Sequence, residues 1–552
     1  MKPMPLPAKR CLAALAFCLM LNHNASSLSA NDSSAPRATT PLGILEGLHD
    51  SESNLDLYLG VPFAQPPVGA LRWKAPQPMQ KWDDIREAKK FGPRPVQAPV
   101  FGDMSFRSEI MSEDCLYLNI WAPSEASEEL YPVLLYFYGG GAVAGGSSER
   151  RYDGASMAKQ GIVSITCNYR LNLFGYLSHP ELSEEAPYHS SGNYGYLDQN
   201  AALKWVRDNI EAFGGDPSRI TIAGESAGSI SVSAQMASPL SRDMIAGAIG
   251  QSGAAIPPTM APIPLSEAEQ VGVEFFESAG IENLDAARSM DTDSIFDAYV
   301  NSQRFGFPGV IDGYFLPDSL INIYSSGEQA QVPLMLGWTS AEIPGMAFMQ
   351  GAPYTTEAFI EKVHQTYPED AEQVLALYPH ADAQEVERSA TDLAADRFIV
   401  YSTWKWFDLQ RKHSEAPVYR YRFDKVRPPL KDTSLVSGLA GGTVKKSDAA
   451  PPPPPPFGAS HASEIEYVLG NLYLTDEYDW KEIDQQVSDQ AIGYFARFVK
   501  TGDPNGSGAA NWPSASAEDP TPAVMHLDVE PQAVEAPNDK RFQFMDDYFQ
   551  RK

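Results

Sequence analysis

Four cysteines in 552 residues are too few for a disulfide scaffold. Cys11 and Cys18 fall in the leader described below. Only Cys115 and Cys167 remain, in the strand-like runs "EDCLYLNIW" and "GIVSITCNYR", where the common fate is a free, buried thiol. Positive charge is also scarce: 42 Lys and Arg face 71 Asp and Glu, a net charge of −29. Nucleic acid and anionic membrane both need a basic face, so neither is an expected partner. No segment approaches 18 consecutive apolar residues, which argues against a stable membrane anchor. Histidine is rare too, at nine residues, which shortens any search for a catalytic base.

The N-terminus carries Lys2, Lys9 and Arg10 ahead of "CLAALAFCLML" and then the small-residue stretch "NASSLSA". This order of charge, short apolar run and small residues predicts a secretory signal peptide over residues 1–30, hence an exported protein, periplasmic or secreted. A lipoprotein reading through Cys18 is weaker, because Phe17 suits lipidation poorly. Residues 31–41, "NDSSAPRATTP", are predicted to be a disordered leader, and 42–552 a single domain. "YPVLLYFYGGG", "GIVSITCNYR", "SRITIAG", "IAGAIGQSG", "QVPLMLGWTS" and "APVYRYRFD" read as strands separated by helical patterns. Leu203, Val206, Ile210 and Phe213 share one helical face that Gly214-Gly215 ends. Continuously apolar strands alternating with helices predict an α/β fold, a mostly parallel sheet covered on both faces. The hexaproline run 451–456 is predicted to be an extended surface loop.

Gly224-Glu225-Ser226-Ala227-Gly228 follows the strand "SRITIAG" and precedes the small-residue segment "SISVSAQM". A G-x-S-x-G match arises by chance in roughly one chain in five of this length. Its place between a strand and a helix is what a nucleophile elbow requires. A serine hydroxyl is a weak nucleophile, needing a base, a group to orient that base and donors for the oxyanion. The glycines after "YFY" bring the N–H groups of Gly140 and Gly141 forward as donors, with Ala227 as the third. No Lys-Ser/Thr follows them, as a phosphate loop usually requires. Of the histidines after Ser226, His364, His380 and His413 lie in polar helical or connecting stretches. His461 stands among small residues in "FGASHASEIEYVLGN". For the acid, the residues leave two candidates open. Glu342 lies just past a strand end, and Asp312 sits in an Asp-Gly pair that reads equally as a turn.

Together "YLGVPFAQPPVGALRW", "SEDCLYLNIWAP", "YGGGAVAGG", "GNYGYLDQNAALKWVRDNIEAFGGDPSRITIAGESAGS", "QSG", "GASHASEIEYVLGN" and "GDPN…WP" resemble the type-B carboxylesterase (cholinesterase-like) family, in the pattern of a bacterial para-nitrobenzyl-esterase-like member. The resemblance implies an α/β-hydrolase fold with a gorge over the serine, and an ester hydrolase needing no cofactor or metal. It implies Ser226 as nucleophile, Glu342 (five residues after Gly337) as acid, His461 as base, and Gly140, Gly141 and Ala227 as oxyanion hole. It places Glu225, Ser252 and Glu464 in a supporting buried polar network, and Arg72–Glu113 and Arg170–Asp198 as structural ion pairs. Two departures stand out. Cys115 lacks the upstream cysteine that relatives pair it with. The same segment lacks the tryptophan with which cholinesterases hold choline, so a choline-ester specialist is not expected. A lipase, or a polyester- or toxin-ester hydrolase, of the same fold is the alternative. A non-catalytic adhesion or scaffold protein is disfavoured by the intact triad positions.

Overall fold

A computed structural model describes residues 35–125, 127–446, 457–536 and 539–551. The signal-like segment 1–30 and the hexaproline run lie outside the described residues. The frame is an eleven-stranded sheet. In chain order its strands are β1 Leu48–Asp50, β2 Leu55–Pro62, β3 Tyr117–Pro123, β4 Tyr131–Phe137, β5 Val163–Cys167 and β6 Gly215–Glu225. Then come β7 Gly247–Gln251, β8 Leu334–Thr339, β9 Val418–Phe423, β10 Ala523–Leu527 and β11 Gln532–Glu535. Across the sheet they run β11-β10-β9-β8-β7-β6-β4-β5-β3-β2-β1. The seven strands from β10 to β5 are mutually parallel, and the outer ones are antiparallel. The apolar runs explain this. Every residue of β5, β7 and β8 is buried, as central strands covered on both faces must be.

Leu203 and Val206 lie on helix α1, Tyr194–Asn209; Ile210 and Phe213 follow on a 3₁₀ turn, and all four are buried. Gly214 ends the turn at φ 80°, in the left-handed region where glycine carries no Cβ penalty. Both implied ion pairs are formed and buried. Arg72 grips Glu113 through two bonds of 2.6 and 2.7 Å, and Arg170 grips Asp198 through two of 2.7 and 2.8 Å. Cys115 and Cys167 are free and buried, and burial pushes both thiols well above their usual range.

The leader expected at 31–41 is corrected in its second half. Arg37–Thr40 is a strand, paired antiparallel with Gly43–Glu46. Ala38 is buried, Arg37 reaches Glu46 at 2.7 Å, and the Thr40 hydroxyl donates across the turn to the Gly43 carbonyl. The pairing partner, not local composition, orders these residues. Among the described residues no helix is long and apolar enough to cross a membrane.

Candidate active site

β6 runs out at Glu225, and helix α2, Ala227–Ala237, begins after a single intervening residue. Ser226 is the hinge between them, at φ 55° and ψ −120°, a conformation held only where the surroundings fix it. Its N–H donates to the Gln251 carbonyl at the end of β7, 2.8 Å away. The glycines on either side are required by space. A Cβ on Gly224 would lie 2.5 Å from the Gly228 carbonyl carbon, and one on Gly228 would overlap the Phe137 carbonyl. Without side chains there, α2 starts hard against β4 and β6 and lifts Ser226 clear of the sheet.

Gly140 and Gly141 follow β4 at φ 112° and 62°, with Ala142 at 57°. A Cβ on Gly140 would overlap the Ala144 carbonyl, so this tight loop excludes other residues. Among the described residues the N–H groups of Gly140, Gly141 and Ala227 donate to no protein acceptor. They remain available to an oxyanion.

The segment around His461 is stitched to the one around Glu342 through the backbone. Ala341 N–H donates to the Ala459 carbonyl at 2.8 Å, and His461 N–H to the Glu342 carbonyl at 3.1 Å. Glu342 Oε2 lies 2.5 Å from His461 Nδ1, while Oε1 accepts from Ser252 Oγ and from Thr339 N–H, each at 2.7 Å. Asp312 is elsewhere. Its Oδ1 accepts from the backbone N–H groups of Tyr314, Phe315 and Leu316, and its Oδ2 from Asn193. It shapes a turn. His461 Nε2 lies 3.2 Å from Glu225 Oε1. Among the described residues Ser226 Oγ has no hydrogen-bond partner. Such nucleophile–base bonds are commonly loose in a ligand-free site and tighten on substrate.

Three carboxyls crowd this imidazole. Burial pushes Glu225 up to about 7, against the pull of His461. Burial, together with repulsion from Glu225 and Glu342, lifts Glu464 to about 8. Burial opposes charge on His461, but the facing Glu225 and Glu342 outweigh it and raise the ring to about 9. The site is thus built to stabilise imidazolium. Both Glu464 oxygens are buried, and among the described residues neither has a hydrogen-bond partner.

Ser226, His461, Glu225, Gly140 and Gly141 line a cavity of about 240 Å³, walled mainly by apolar side chains, Phe101, Met104 and Phe398 among them. Among the described residues no Lys, Arg or Trp lines it. Phe398 meets the His461 ring edge-on at 5.4 Å. It sits on a π-helical turn, Asp396–Val400, a feature frequent at functional sites. No Gly or Pro marks that turn, so the sequence carried no signal for it. Ser252 and Ala462 share with Ala142 and Ser226 a positive φ, at 55° and 60°. Among the described residues no group of three His, Cys, Asp or Glu is arranged to hold a metal.

The sequence profile of the carboxylesterase family matches residues 34–545. The chain belongs to the carboxylesterase family. It is an ester hydrolase of the α/β-hydrolase fold. The esterase is 32% identical to a fumonisin B1 esterase of Sphingopyxis macrogoltabida over 474 residues, 83% of this chain and 80% of the relative. It is 30% identical to a cocaine esterase of Homo sapiens, covering 93% and 91% of the two chains. A solved PNB esterase superposes with a TM-score of 0.75 at 30% identity, covering 92% of this esterase and 98% of that chain.

Proposed function

We propose that Ser226, His461 and Glu342 form the catalytic triad of this carboxylesterase. Ser226 Oγ attacks the ester carbonyl as His461 Nε2 takes its proton. The developing oxyanion is met by the N–H groups of Gly140, Gly141 and Ala227. The alcohol leaves with the proton returned by His461, and water then hydrolyses the acyl-enzyme by the same route. The observation that carries this reading is the convergence of a serine on a strained strand-to-helix turn with an imidazole held by a buried carboxylate, on one cavity. Glu225, Ser252 and Glu464 support the imidazole; Ser252 acts through its bond to Glu342.

The substrates that fit are esters with apolar arms, since among the described residues the cavity walls are mainly apolar and neither Lys nor Arg lines them. The missing tryptophan likewise removes the contact that would favour a choline ester. The charged, short apolar leader supports export with cleavage near Ala30, ahead of one domain that already includes the strand Arg37–Thr40.

Ser226→Ala tests the assignment. It should abolish turnover of p-nitrophenyl esters and labelling by a fluorophosphonate probe while the thermal melt is kept, because the triad acts as a unit. Labelling at the wild-type level in the variant would assign the nucleophile elsewhere.

A further inference from the structure

Between β9 and His461 the chain leaves the sheet and makes a small hairpin, Leu435–Ser437 paired with Thr443–Lys445. Its tip, "GLAGG" at 438–442, delivers Leu439 and Ala440 into the wall of the active-site cavity. Most of that wall is fixed by the fold: Ile230 stands on α2 and Phe398 on the buried π turn. Leu439, exposed as Met260 and Phe305 of the same wall are, stands at the tip of a hairpin that among the described residues joins no larger sheet.

The tip is nevertheless held in a defined place. Gly442 N–H donates to Asp103 Oδ2 at 3.2 Å, and the Gly441 carbonyl accepts from Arg427 Nη1 at 2.7 Å. The same guanidinium donates through Nη2 to the carbonyl of Ala462, the residue after His461, at 3.0 Å, and is braced by Glu466 at 2.7 Å. The glycines make the approach possible. A Cβ on Gly438 or Gly442 would overlap Asp103, and one on Gly441 would overlap the Arg151 guanidinium. Arg427 therefore indexes the hairpin tip directly to the histidine loop.

We propose that this hairpin is the specificity element of the esterase, with Leu439 limiting the bulk of the apolar arm an ester brings into the cavity. The proposal rests on the assignment of Ser226 and His461 to catalysis. Leu439 touches the space the substrate fills and no reacting group. Its size therefore sets which esters reach Ser226, and the polar anchors keep that limit constant relative to His461.

The test compares Leu439→Ala and Leu439→Trp with wild type on two series, p-nitrophenyl esters of increasing acyl length and butyrate esters of alcohols of increasing size. The readout is the ratio of kcat/KM for the bulky member to that for the small one. In one of the two series Leu439→Ala should raise this ratio about tenfold, and Leu439→Trp should lower it by a similar factor, the scale of one leucine side chain's worth of apolar contact. Thermal melts accompany each variant. If both ratios stay within about twofold of wild type in both series, the ordinary scatter of a surface substitution, the hairpin does not set specificity. Fluorophosphonate labelling of wild type, lost in Ser226→Ala, is run alongside. Labelled enzyme with unmoved ratios overturns the hairpin proposal alone, whereas a failure to label Ser226 overturns it together with the triad on which it rests.

Discussion

Glu225 Oε1 stands 3.2 Å from His461 Nε2, the ring nitrogen not held by Glu342. Its carboxylate is the strongest of the attractions that raise the imidazole toward about 9, working against burial. Glu225→Gln removes that attraction, so the neutral ring persists to lower pH. The acidic limb of the kcat/KM profile is expected to move to lower pH in this variant. A limb that stays in place or moves to alkaline pH refutes the coupling.

Glu464 gives a stability prediction. Its folded-state value, about 8, lies above the usual 4.5 because burial, and then repulsion from Glu225 and Glu342, disfavour its charge. The folded protein therefore holds a proton that the unfolded chain has released. That contribution is fully present below about 4.5 and is lost as pH rises through about 8. His461 acts in the same sense, from 6.5 to about 9. Wild-type stability should fall between pH 6 and pH 9, and Glu464→Gln should show a smaller fall. Denaturant melts at the two pH values measure this, and an equal or larger fall in the variant counts against it.

Glu342 and Asp312 are separated by paired amides. Glu342→Gln disturbs the carboxylate that fixes His461 Nδ1. Loss of a triad acid costs about 10⁴ in turnover in the serine-protease case, so a fall of orders of magnitude in kcat with little change in KM is expected. Asp312→Asn weakens a carboxylate that accepts three backbone N–H groups. It should lower stability by about 1–3 kcal/mol and leave kcat near wild type in folded protein. The reverse pattern would move the acid to Asp312.

Asp198 and Arg170 are both almost wholly buried. Asp198→Ala strands the guanidinium, and a loss of about 3–5 kcal/mol in unfolding free energy is expected. A denaturant melt within 1 kcal/mol of wild type, about the median worth of an exposed pair, would show that water reaches Arg170.

The central sheet was legible because parallel strands buried on both faces leave continuous apolar runs, as "VLLYF" does at 133–137. The elbow was legible because its glycines are demanded by contacts a few residues away. Glu342, the proposed acid, is not legible from its own surroundings, since a carboxylate past a strand end resembles any other. Its distance from Gly337, given by the family resemblance, picked it out. The pairing of Arg37–Thr40 leaves no such trace, because its partner strand and its charge contact, not its own composition, order it. The 435–445 hairpin was invisible for the same reason. Two three-residue strands carry almost no periodicity, and the groups that hold the tip, Asp103 and Arg427, come from elsewhere in the chain.

Ala142, Ser226, Ser252 and Ala462 all carry side chains at positive φ: Ser226 and Ala462 line the cavity, Ala142 follows Gly141 in its wall, and Ser252 donates to Glu342. Each such residue costs of order 1–3 kcal/mol that its neighbours must offset. The catalytic region is thereby the part of the esterase with most to gain from relaxing locally, while the sheet beneath it has no comparable reason to yield. Heat should therefore silence the enzyme before it melts it. Ester turnover is expected to decay at temperatures where far-ultraviolet dichroism is still native, and to return on prompt cooling.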